Sequence, residues 1–356
     1  MDTSPHKNNK AADNDGGKKG NAWLPVAGFV FGIAVLVFLV YFVGLETIYE
    51  PLAKIGWGFF LIVALNGIRH YLRAICMYIA VPESDRGFSV RNAFSARLAG
   101  ETINTIAFTG PVLGDAAKAA MLNRKVTVEH SATAVIIDEI IYYITSLMLI
   151  LGGAIVVLYA YGNGLALNLI LFGLILFGAV ILFGTWWVVR KNFKPVSWVV
   201  KKAGDRWFVP GSLVRKQDEI LEIESNVIEF QEKRRKAFFI VLSIIVATHV
   251  LSVLEAYWAM QMLGLSVTMV SAFIIESLTK AVNFIFFLIP GTIGAYEGGN
   301  SLILQSLGFT AGAGVALALV RRGGILFWTL IGGIILLWKG AKTSVEQLKE
   351  TGDEGT

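Results

Sequence analysis

Charge is scarce in this chain. Only 16% of its 356 residues are Asp, Glu, Lys or Arg, against roughly a quarter in an average soluble domain, and that deficit excludes an ordinary water-soluble globule. Cysteine is scarcer still. Its one copy, Cys76, excludes an intrachain disulfide and any thiolate cluster. The four histidines, His6, His70, His130 and His249, share no metal-ligand spacing, so no metal is expected. No nucleophile elbow, phosphate-binding glycine loop, dinucleotide fingerprint or carboxylate–histidine zinc motif is written in the sequence. Neither a cofactor nor an enzymatic activity is expected. The formal net charge of +5 is modest. It suits a cytoplasmic face beside anionic lipid better than a nucleic-acid partner.

What is present is apolar sequence. Hydrophobic residues make up 55% of the chain, and mean hydropathy is +0.64. Several runs exceed the roughly 18 residues that mark a transmembrane helix, and their continuity rules out the short alternating strands of a barrel. The expected fold is all-α: a polytopic transmembrane bundle of about 7–8 spans. Candidate spans are 23–45, 55–80, 131–160, 166–189, 238–263, 268–289 and a segment within 300–338. Residues 1–22 are polar and read as a disordered cytoplasmic tail; 23–340 form the membrane domain and 341–356 a polar tail. The run from Trp23 is too long for a signal peptide and is read as a retained span. Lys7, Lys10, Lys18 and Lys19 place the N-terminus in the cytoplasm, and the basic 190–237 segment lies on the same side. Within it, 196–237 is an insertion. There Ile220, Ile223, Val227 and Phe230 recur at helical spacing, a helix lying either on the inner membrane surface or on the protein's own loops.

Two segments fit badly as simple spans: 96–124 and 276–302 both carry Pro and Gly inside apolar sequence. In lipid, broken backbone survives only where it is buried in protein or lines a wet cavity. Both are therefore read as re-entrant or interrupted helices. They also match each other. "NTIAFTGPVLGDAAK" (104–118) lies over "NFIFFLIPGTIGAYE" (283–297), pairing Asn104 with Asn283, Phe108 with Phe287 and Pro111 with Pro290. Gly114 or Gly294 follows, then Asp115 and Lys118 or Glu297. A long helix comes next in each, with a charged pair in its apolar body: Asp138-Glu139 in one, Arg321-Arg322 in the other. This is the pattern of an internal duplication, which transporters use to build a site near the bilayer midplane. Residues 311–338 read either as one helix or as two spans meeting at Arg321-Arg322.

The structural residues are Pro111, Gly114, Pro290, Gly291 and Gly294, which stop a helix or permit tight backbone. The candidate substrate-binding residues are Asn104, Asp115, Lys118, Asp138, Glu139, Lys280, Asn283, Glu297, Arg321 and Arg322. Each intramembrane charge costs about 2.5–3.5 kcal/mol at a helix centre, so it faces a partner or a watery cavity. Two readings stand. Asp138 and Glu139 pair with Arg321 and Arg322, or the set lines a cavity for a charged lipid head. Glu297 either compensates a helix N-terminus or binds an amine or proton, and Lys118 is placed to reach a phosphate. Arg69 and Arg73 are expected to snorkel to the cytoplasmic headgroups.

The Pro-x-x-Gly-acid element at Pro111 to Asp115 and the later "PGTIGAYEG" resemble the two elements of the flippase-like integral membrane family. That family includes the transmembrane region of lysylphosphatidylglycerol synthases and members associated with hopanoid lipids. Pro111, Gly114, Asp115, Pro290, Gly291, Gly294, Glu297 and Arg322 match its patterned positions over roughly 55–340. Thr292 departs from the family's glycine, and Asp138-Glu139-Ile140-Ile141-Tyr142 departs from its Glu-Arg-x-x-Asp. The resemblance implies a multi-pass protein of the bacterial inner membrane. Such a protein binds a phospholipid or isoprenoid-type lipid and moves it between leaflets. The alternative is a subunit that presents substrate to a lipid-biosynthesis enzyme. The aminoacyl-transfer domain of the synthases is not in this sequence.

Overall fold

A computed structural model of the chain describes residues 53–106, 112–123, 125–161, 165–203, 214, 216–287, 292 and 294–353. Pro111, Pro290, Gly291, the 23–45 span and the 1–22 tail lie outside the described residues. Among the described residues the regular elements are helical: α1 (Phe59–Ala80), α2 (Val90–Ile106), α3 (Val112–Asn123), α4 (Val128–Tyr161), α5 (Leu165–Arg190) and α6 (Pro195–Ala203), then α7 (Gln217–Lys233), α8 (Arg235–Met262), α9 (Met269–Ile285), α10 (Ala295–Ser306) and α11 (Ala311–Asp353), with two short 3-10 turns. Five helices are long and apolar enough to cross a membrane: α1, α4, α5, α8 and α11. The chain is a polytopic helical bundle.

One sequence expectation changes here, and one open alternative is decided. The expected 268–289 span is α9, only 17 residues long, and it doubles back into α10. Residues 311–338 form one continuous helix, so Arg321-Arg322 is not a turn.

The duplication is visible element by element. Helices α2 and α9 each have 17 residues, and α3 and α10 each have 12. A long helix follows the short one in both halves. In each half the two short helices run antiparallel. Asn104 lies beside Gly114 at one end of the first pair, and Gly100 packs on Lys118 further along. In the second, Asn283 meets Thr292 and Thr279 meets Asn300. Two glycine positions make this possible. A Cβ on Gly114 would stand 2.0 Å from Asn104 Oδ1, and Gly294 turns the chain into α10 at φ +76°.

Helices α1 to α4 form the first repeat and α8 to α11 the second. The repeats exchange partners, since α2 packs on α11 and α9 packs on α4, while α1 packs on α8. Two apolar clusters close opposite ends of the bundle. One joins the C-terminal end of α1 (Met77, Ala80, Val81) to Ala93, Leu122, Val135, Val241 and Ile245. The other joins the N-terminal end of α1 (Ile55, Ile62) to Met260, Leu263, Ile275, Leu304 and Leu317. The base of α2–α3 is therefore at one end and the base of α9–α10 at the other. The two repeats have inverted topology, and Asn104 and Asn283, near the C-terminal ends of α2 and α9, fall towards the middle.

Helix α5 packs on α4 and exposes Leu169, Phe172, Leu176, Phe177, Val180 and Phe183. So wide an apolar face suits lipid, not water. Helix α7 packs on α4, with Phe230 buried in the first apolar cluster. Of the two sequence alternatives for this helix, packing on the protein itself is the one seen.

Candidate functional site

The charged side chains of the bundle interior sit at equal places in the two repeats. Asp138 is the eleventh residue of α4, and Arg321 is the eleventh residue of α11. Arg97 and Glu101 are the eighth and twelfth residues of α2; Glu276 and Lys280 are the eighth and twelfth of α9. Arg73 and Glu255 each stand seven residues before the end of their helix. At every one of these places the sign is reversed between repeats.

The contacts follow the same correspondence. In the first repeat the Asp138 carboxylate accepts from Arg73 Nε (3.1 Å), Arg73 Nη2 (2.8 Å) and Arg97 Nη1 (2.7 Å). In the second, the Arg321 guanidinium meets Glu255 Oε1 (3.0 Å) and Glu276 Oε2 (2.7 Å). Arg97–Glu101 (3.2 Å) is matched by Glu276–Lys280 (3.3 Å). Each node places one central charge between two opposite ones, a geometry that repays the desolvation of buried ions only when its bonds are well made.

This overturns one expectation. Asp138 and Glu139 do not pair with Arg321 and Arg322. Glu139 meets Arg73 (3.0 Å) and Lys118 (2.9 Å), and Arg322 meets Glu297 (2.9 Å). Each long helix finds its countercharges inside its own repeat, and the space between the two nodes is left open. Arg69 and Arg73 do not snorkel either. Arg73 is 7% exposed, and Arg69 bridges the repeats by pairing with Glu255 (2.6 Å) and bonding Ser252.

That open space is a cavity of about 680 Å³. Its walls include Arg69, Arg73 and Asn66 from α1, Arg97, Glu101 and Asn104 from α2, and Glu139, Tyr142 and Ser146 from α4. From the second repeat come Glu255, Glu276, Lys280, Asn283, Arg321 and Arg322. Six basic side chains and four carboxylates line it. Phe284 and Phe287 also line the cavity and are about half exposed, so its rim is apolar.

Of the ten residues singled out in the sequence, Asn104, Glu139, Lys280, Asn283, Arg321 and Arg322 are on the wall. Asp115, Lys118, Asp138 and Glu297 stand behind it. Lys118 is 1% exposed, and its Nζ is spent on Glu101, Asp115 and Glu139 at 2.8–2.9 Å. It is therefore a buried hub and does not face the cavity for a phosphate. Asn104 accepts from the Gly114 N–H (2.9 Å), tying α2 to α3 while lining the cavity. Glu297 accepts from Gly294 N–H (2.8 Å), so it caps α10 while it pairs with Arg322.

Sequence reasoning missed Arg97 and Tyr142. The signal for Arg97 was present, because Arg97-x-x-x-Glu101 repeats as Glu276-x-x-x-Lys280 once sign is ignored. Tyr142 joins the repeats. Arg73 lies 3.9 Å over its ring, Lys280 donates to its hydroxyl (3.1 Å), and His249 stacks on it at 5.1 Å. No group of three metal-ligating side chains is found among the described residues.

The family model described as Lysylphosphatidylglycerol synthase TM region matches residues 26–333. No curated protein and no solved structure matches the chain.

Proposed function

The chain belongs to the lysylphosphatidylglycerol synthase TM-region family, and from that premise we propose that it carries an amphiphilic lipid between the leaflets of a bacterial inner membrane. The observation that carries this reading is the charged cavity of about 680 Å³ between two inverted repeats, with an apolar rim at Phe284 and Phe287. A polar head enters the cavity while its acyl or isoprenoid chains stay in lipid beside the rim. The paired short helices are re-entrant hairpins, one from each face of the bilayer. Arg86, Arg91 and Lys125 near the base of α2–α3, with Arg190 at the end of α5 and Lys191 and Lys194 after it, support a cytoplasmic position for that end. At the other end, 263–268 and 307–310 carry no charge and 53–58 carries the single basic residue Lys54.

Inverted repeats supply the motion. Two near-equivalent halves exchange conformations, so that a fixed central site opens first to one side and then to the other. The ion-pair nodes keep the site's charges solvated by protein through that exchange. The chain performs no covalent chemistry in this reading.

The test is leaflet exchange of a fluorescent phospholipid in proteoliposomes, read by an impermeant quencher. Protein-dependent exchange above empty vesicles supports the reading. Its absence, with a lipid-modifying enzyme co-purifying instead, assigns the cavity to substrate presentation.

A further inference from the structure

We propose that Asn66, Arg69 and Arg321 form a phosphate-binding subsite within the cavity, the place where the head of the lipid is held. The proposal rests on the lipid-head reading given above and adds which chemical group is recognised and by which atoms.

Among the buried atoms on the cavity wall without a hydrogen-bond partner, three N–H groups gather around Glu255: Asn66 Nδ2, Arg69 Nε and Arg321 Nη1. Arg97 Nε, His249 Nδ1 and Ser146 Oγ are the others outside the carboxylates, and the two carboxylate oxygens without one, Glu255 Oε2 and Glu276 Oε2, are ion-paired with Arg69 and Arg321. Asn66 and Arg321 are 4% and 5% exposed. The three converge. Arg69 and Arg321 reach the same carboxylate, Glu255, at 2.6 Å and 3.0 Å. Asn66 lies one turn before Arg69 on α1, and its Nδ2 is 3.4 Å from where a Cβ on Gly324 would stand, one turn beyond Arg321 on α11.

The ligand chemistry follows from what is left over. All three atoms are donors, two of them on guanidinium groups. Their nearest carboxylates, Glu255 and Glu276, are already engaged by arginine and lysine. The vacancy is for an acceptor-rich anion, and the arginine fork fits phosphate oxygens in particular. An amine would find no free carboxylate there. The symmetry-related node around Asp138 is different in kind. Its central group is an acceptor filled by Arg73 and Arg97, so the subsite centres on Glu255, between α1 of the first repeat and α11 of the second. The lining's six basic groups against four carboxylates carry the same sign.

Phosphate arrives either on a lipid or as the free ion. The experiment uses the full chain in detergent with dimyristoyl phosphatidic acid, dimyristoylglycerol and inorganic phosphate, read by titration calorimetry. The expected result is that phosphatidic acid binds about tenfold or more tightly than the diacylglycerol of identical chains, and that Asn66→Ala weakens it by about fivefold. Weak competition by inorganic phosphate fixes the lipid as the source; competition at equal affinity keeps the phosphate and overturns the lipid. Equal affinity of the two lipids overturns the subsite, as does an unchanged affinity in both Asn66→Ala and Arg321→Lys. The wild-type lipid comparison decides even where a variant does not fold. Leaflet exchange without the phosphate preference removes the subsite and leaves translocation standing; the preference without exchange does the reverse.

Discussion

Asp138 and Arg321 occupy the same position in the two long helices and carry opposite charges, and each is held by the matching pair of residues from its own repeat. A duplicated segment that kept its contacts while reversing its charges has preserved the ion pairs, not the residues.

The Asp138 node is a stability element. Asp138→Ala strips Arg73 and Arg97 of their shared acceptor, leaving only Glu139 and Glu101 to them. Breaking a buried pair from one side costs about 3–5 kcal/mol. Thermal unfolding of the purified variant should show a loss of that order, and an unchanged midpoint would place the node outside the folded core.

Lys118 is predicted to matter more than Asp115. Lys118→Met leaves three buried or part-buried carboxylates facing one another, again a loss of about 3–5 kcal/mol. Asp115→Asn leaves Lys118 its two other partners, Glu101 and Glu139, and costs about 1 kcal/mol or less. The same unfolding measurement ranks the two, and the reverse order contradicts the hub.

Glu297 has two separable jobs. Glu297→Gln keeps an acceptor for the Gly294 N–H but removes the charge beside Arg322; Glu297→Ala removes both. The alanine variant should be less stable than the glutamine variant by about 1 kcal/mol, the usual worth of a helix cap. Equal midpoints would show that the cap contributes nothing.

The sequence made the membrane class and the repeat legible because apolar run length and the Pro/Gly breaks are local signals. Asn104 and Asn283, paired by inspection, are each the fifteenth residue of a 17-residue helix. The pairing of charges was not legible. A motif cannot say whether Asp138 reaches Arg321 across the bundle or Arg73 within its own repeat, since both partners are remote in sequence and only helix packing decides. The same limit hid Arg97 and Tyr142, which become site residues only when α2 and α4 bring them to a common cavity.

Access to the cavity is the central claim, and Ser146 gives the most direct handle on it. The residue lines the cavity and is 8% exposed, so Ser146→Trp fills the space without touching an ion pair. The measurement is phospholipid exchange in proteoliposomes, with wild type and Ser146→Trp compared at matched folded content. The account predicts protein-dependent exchange in the wild type and a fall of about tenfold or more in the filled variant. Equal rates in the two would contradict it.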